Sequence, residues 1–199
     1  MKQRVLEIRL QGLEGFANPK AKLEQYATPA KIAADILYTA HAFGDIESKS
    51  IIDLGCGTGV FSIGACLLGA LEIVGLDIDA EALDAARRNA EKAGCDINFQ
   101  CSKVDDISGK YDTCIMNPPF GSQTKHADIP FLDKAMELAD VIYSLHNAET
   151  MDFLRTKIVK NDRIVQMERK YKMEIKHTFD FHTKDMAFFD VTMMRIVRP

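Results

Sequence analysis

Residues 50 to 69 read SIIDLGCGTGVFSIGACLLG, an apolar run, a glycine-dense turn and a small-residue helix in direct succession. A mostly apolar run marks a buried strand, and a strand that turns at once into a helix opens a doubly wound sheet. The rest of the chain repeats the theme. EIVGLDID reads as a second buried strand, AEALDAARRNAEKAG as a helix closed by Gly94, INFQCS as a third strand and YDTCIM as a fourth. IPFLDKAMELA is a helix, DVIYSLH a fifth strand and AETMDFLRTKIVK another helix. RIVQMERKYKMEI and MAFFDVTMMRIVR then alternate as two strands with no helix between them, which predicts an antiparallel pair at the sheet edge.

Upstream, Val5, Leu6, Ile8, Leu10 and Leu13 predict an amphipathic helix over residues 2–14 that stops at Gly12 or Gly15. A loop carrying LEQYATP follows. Thr28-Pro29 reads as the cap and first-turn proline of a helix through AKIAADILYTAHAF. The expectation is one α/β domain over 1–199, with helices and a loop in 1–49 and a mostly parallel seven-stranded sheet in 50–199.

At 199 residues, 47% of them hydrophobic, the chain suffices for one well-cored domain and is short for two. Cys56, Cys66, Cys95, Cys101 and Cys114 form no CxxC pair, and the five histidines are scattered, so neither a disulfide framework nor a metal site is expected. A reducing, cytoplasmic setting follows, with no signal peptide or membrane span. The net charge of −4 hides an asymmetry. Residues 155–199 hold 11 Lys+Arg against 6 Asp+Glu, a balance of +5, leaving −9 for residues 1–154. Such a basic quarter either holds phosphates or is an ordinary solvated face.

In Asp53-Leu54-Gly55-Cys56-Gly57-Thr58-Gly59 the glycines allow a tight turn and close approach of a ligand to the backbone. The dinucleotide pattern GxGxxG fails here, because its sixth position falls on Val60 or Ser62. Asp77, 20 positions beyond Gly57, suits the two hydroxyls of a ribose, while Asp79 is the better cap for the next helix. After the fourth strand, Asn117-Pro118-Pro119-Phe120 makes a stiff extended loop facing the same crevice. The Asn117 side-chain carbonyl and the Pro118 backbone carbonyl are two acceptors that suit a substrate amino group, and Phe120 offers a face for a planar base.

With both motifs in this order, the chain resembles the S-adenosylmethionine-dependent class I methyltransferases that modify amino nitrogens. KLEQYATP, DLGCGTGVFSIGACLLGA, VGLDID, YDTCIMNPPFG and VIYSLH look like the methyltransferase-like protein 5 family of rRNA adenine-N6 methyltransferases, well over residues 1–150 and weakly beyond. The resemblance implies a Rossmann-like fold and S-adenosylmethionine as cofactor. It implies that Gln25, Tyr26 and Thr28 close over that cofactor, that Gly55, Thr58 and Val60 line its methionine and ribose, and that Asp77 and Ile78 meet its ribose and adenine. The family's acidic residue after the third strand is absent here. Ser102 and Lys103 stand at that position, with Asp105 and Asp106 further on. The implied substrate is structured small-subunit rRNA, with a small zinc-binding partner of the Trm112 type adding a strand to the sheet edge.

Within KHTFDFHTKD, Phe181, His182 and Lys184 either stack and contact phosphate or belong to a hairpin loop. His146 either approaches the site or simply ends a strand. Competing functions are amide methylation of a protein glutamine and a catalytically weak, cofactor-binding role in ribosome assembly.

Overall fold

The structure is a computed structural model that describes residues 1–121, 124–176 and 186–199, with backbone alone for 174–176 and 186–188. The strands are β1 (Ser50–Leu54), β2 (Glu72–Asp77), β3 (Asn98–Cys101), β4 (Tyr111–Met116), β5 (Ala139–Asn147), β6 (Ile164–Lys176) and β7 (Met186–Val197). They form one sheet in the order β3-β2-β1-β4-β5-β7-β6. The first five pair in parallel, while β7 runs antiparallel to both β5 and β6. The helices are α1 (Gln3–Gln11), α2 (Ala30–Ala42), α3 (Val60–Leu67), α4 (Ala80–Ala93), α5 (Ile129–Leu138) and α6 (Met151–Lys160).

Strand alternation divides the core in two. Ile51, Ile73, Ile115, Tyr143 and Met193 face α1, α2 and α3. Their neighbours Ile52, Val74, Cys114, Ile142 and Met194 face α5 and α6. Both faces are covered, which is why the central strands read as mostly apolar runs. The doubly wound, mostly parallel sheet with an antiparallel C-terminal strand is therefore as expected.

Helix α1 stops at Gly12, one of its two expected ends, with the Gly12 N–H reaching back to the Arg9 and Leu10 carbonyls. One local expectation is corrected. Thr28 is not a cap, for α2 starts after Pro29 with no side-chain capping bond, and the Thr28 hydroxyl is committed elsewhere. Among the described residues, no helix is long and apolar enough to cross a membrane.

Candidate active site

Parallel strands deliver their loops to one edge, so the segments after β1, β2 and β4 meet there. The turn after β1 depends on glycine. Gly57 has φ +54, and a Cβ there would lie 2.8 Å from Phe16 Cζ, while Gly55 has φ +72 and would meet Phe131 at 3.2 Å. Two carboxylates hold the turn from below. Asp77 accepts from Gly57 N–H through Oδ2 (2.8 Å) and from Asp79 N–H through Oδ1 (2.9 Å). Asp53 Oδ2 accepts from the Ser62 N–H (2.9 Å) and hydroxyl (2.6 Å), and its Oδ1 is buried without a partner among the described residues. Burial pushes the Asp53 carboxyl up to about 7 against the pull of Ser62. Burial likewise raises Asp77, against its bonds from Asp79 and Gly57.

Asp79 caps α4 by accepting from Glu81 N–H (3.2 Å), as its position in the sequence suggests. It also binds the N-terminal loop, accepting from Lys20 Nζ (2.6 Å) and Gln25 Nε2 (2.7 Å). Burial favours its neutral form, but Lys20 and Gln25 outweigh this and hold it below the usual carboxylate range. Gln25 Oε1 in turn accepts from Lys20 N–H (2.7 Å). The loop is thus latched across the mouth of the glycine turn.

On the other side, Asn117 Nδ2 donates to Thr28 Oγ1 (3.0 Å). The amide is thereby oriented, leaving Oδ1 buried and without a partner among the described residues. A buried carbonyl acceptor left unmade is costly, which marks it for a donor supplied by a ligand.

These segments enclose an open cleft of about 340 Å³. Asp77, Ile78, Lys103, Val104 and Asp105 line one end, and Asn117, Pro119, Pro130 and Phe131 the other, with Gln25, Tyr26, Gly55 and Gly57 between. A recess of about 50 Å³ adjoins it, lined by Thr28, Cys56, Thr58 and Val60 among others. Asp53, Gly59, Ser102 and Pro118 are not on these walls. Ser102 instead closes the end of β2, its N–H donating to Asp77 O (3.0 Å). Phe120 is half-buried against the core on the α1–α3 face, so the aromatic rings that line the cleft are Phe16, Tyr26 and Phe131. Phe181, His182 and Lys184 lie outside the described residues. His146 does not reach the cleft; it is fully buried.

Sequence reasoning missed Phe16, Glu24, Pro130 and Phe131. The first two sit in a loop without periodicity, and the last two look like the opening of an ordinary helix.

The glycine turn, the acid after β2 and the Asn-Pro-Pro-Phe loop on this sheet define a class I S-adenosylmethionine-dependent methyltransferase. The model of the ribosomal protein L11 methyltransferase family (PrmA) matches residues 38–118. The rRNA N(6)-adenosine-methyltransferase METTL5 of Danio rerio is 42% identical, covering 98% of each chain. Its Drosophila melanogaster counterpart is 36% identical over 98% of this chain and 96% of that one. The crystal structure of PH1948 from Pyrococcus horikoshii superposes with a TM-score of 0.94 at 41% identity, covering 100% of this chain and 98% of that one. The chain belongs to the METTL5 family of rRNA N(6)-adenosine-methyltransferases.

Proposed function

We propose that this chain transfers a methyl group to N6 of an adenine in structured RNA, specifically small-subunit rRNA. The observation that carries this reading is the Asn117 carbonyl oxygen, buried, unpartnered among the described residues, and aimed by Thr28. Bound S-adenosylmethionine supplies an electrophilic methyl. The residues present fit it: each Asp77 oxygen uses one acceptor site on the backbone and keeps another for a ribose hydroxyl. Ile78 offers an apolar face, Lys103 and Asp105 stand at the far edge, and Gln25, Tyr26 and Thr28 close the loop side.

Adenine N6 is a poor nucleophile because its lone pair is delocalised into the ring. Hydrogen bonds from its N–H groups to Asn117 Oδ1 and, as the Asn-Pro-Pro-Phe motif implies, to the Pro118 carbonyl favour a pyramidal nitrogen and stabilise the positive charge growing there. Fixed orientation supplies the rest. No strong base is needed, since the alkylated nitrogen is acidic enough to lose its proton afterwards.

The family resemblance adds a small zinc-binding partner of the Trm112 type. Its support here is the outer edge of β3, which pairs only with β2 among the described residues. The reaction is assigned to the cytoplasm, consistent with five free cysteines.

The test is transfer of labelled methyl to small-subunit rRNA, undermethylated small subunits and cell protein, followed by digestion. The expected label is N6-methyladenosine, absent with Asn117→Ala. Label in protein glutamine, or none in any substrate with the partner present, overturns the proposal.

A further inference from the structure

Asp128 stands at the cap position of α5, yet its side chain makes no capping bond. It turns inward. Its Oδ2 lies 3.0 Å from His146 Nδ1, and His146 Nε2 lies 2.7 Å from Ser144 Oγ. Ser144 and His146 are fully buried and Asp128 is 6% exposed. A carboxylate only accepts, so Nδ1 carries the proton donated to Asp128, while Nε2 is hydrogen-bonded to the Ser144 hydroxyl. Both ring nitrogens are satisfied. Ser144 and His146 project on the same strand face as Ile142, into the apolar core under α5 and α6. Polar groups are tolerated there only as a completed chain. No Ser–His–Asp hydrolytic reading applies, because the Ser144 hydroxyl has no exposure to any substrate.

The register shows what the chain of bonds holds. Met116 on β4 pairs with Ser144 on β5, so His146 and Asn147 run on beside the segment that starts at Asn117. The backbone leaves the sheet after Met116, and Asp128 stands where it enters α5, ahead of β5. Its departure is held by the β4–β5 ladder, and the start of α5 is held by His146 through Asp128. Ala127, Pro130 and Phe131, on either side of Asp128, form the cleft wall beside Asn117.

We propose that Ser144, His146 and Asp128 are positioning residues that bolt the substrate-side wall of the cleft to β5. Its catalytic readout rests on the proposed function, but its structural readout does not. The experiment compares wild type, Asp128→Ala, Asp128→Asn and Ser144→Ala by amide hydrogen exchange, cofactor binding and single-turnover transfer to small-subunit rRNA. Asp128→Ala is expected to speed exchange over residues 124–131 by about tenfold, leaving 55–59 and 77–81 unchanged. It lowers the transfer rate by about 10- to 100-fold, the scale of a misplaced reacting group, with cofactor affinity within about twofold. Asp128→Asn keeps an acceptor for His146 and is expected to restore both exchange and rate to within about threefold.

Ser144→Ala removes only the far bond and should give a smaller effect in the same residues. Unchanged exchange over 124–131 in either alanine variant overturns the proposal. So does a rate that Asp128→Asn does not restore, or a loss of cofactor affinity in step with rate. If wild type labels no RNA, the proposed function fails, and the exchange comparison alone decides the bolt.

Discussion

The two sides of the cleft are built differently. On the glycine-turn side, Asp53 binds Ser62 nine residues away and Asp77 binds Gly57 twenty residues away, all within the first two βα units. On the Asn117 side, Thr28 holds Asn117 across 89 residues, and between the two sides the N-terminal loop reaches Asp79 across 54 and 59. One side is a local fold motif, and the other is assembled by long-range contacts. The comparison teaches that binding and transfer should be separable by mutation.

The largest expected effect on cofactor affinity is that of Asp77→Ala. It removes two backbone hydrogen bonds to a carboxylate and the acceptor proposed for a ribose, and bonds to charged groups are worth about 1.5–3 kcal/mol each. Calorimetry should show cofactor affinity falling by about 100-fold. A fall confined to the transfer rate would break the division.

Thr28→Val acts on the opposite side. It strands the Asn117 Nδ2 donor, a penalty of about 1–3 kcal/mol, so single-turnover transfer should fall by about tenfold while Thr28→Ser stays near wild type. Equal loss in the valine and serine variants would remove the argument that this hydroxyl aims the amide. Gln25→Ala lies between the two sides, because it breaks one of the bonds that latch the loop to Asp79. Cofactor dissociation measured by stopped flow should quicken by about fivefold, the scale of one hydrogen bond of about 1 kcal/mol.

Apart from binding and transfer, an effect is expected on stability against pH. Asp53 rises from its ordinary 3.8 to about 7, so between those values the folded state binds more protons than the unfolded state. The contribution of this group to stability therefore falls as pH rises from about 4 to about 7 and is flat above. Asp53→Asn mimics the protonated carboxyl. Thermal melts should show a smaller drop in midpoint between pH 5 and pH 8 than in wild type, and an unaltered drop would remove Asp53 as the cause.

Legibility in the sequence follows the same division. The mostly apolar stretch Ile51–Leu54, interrupted by Asp53, and the apolar run Ile73–Leu76 declare strands covered on both faces, and Asp79 before AEALDAARR declares a cap, because these signals are local. Thr28-Pro29 has the local form of a helix start, and so does Asp128 before Ile-Pro. Both are drawn away by partners distant in sequence, Asn117 and His146. No periodicity encodes a bond across 89 residues. Phe120 was legible as part of the loop but not as packing against the α1–α3 core, which depends on where the ring turns after two prolines.

The most direct measurement determines cofactor affinity and single-turnover methyl transfer to small-subunit rRNA on one preparation of Asn117→Ala. Loss of a preorganised transition-state contact predicts a rate lower by about 10²–10³-fold with the dissociation constant within about threefold of wild type. A rate that survives, or an affinity that falls as far as the rate, would contradict the assignment of Asn117 to the substrate amine.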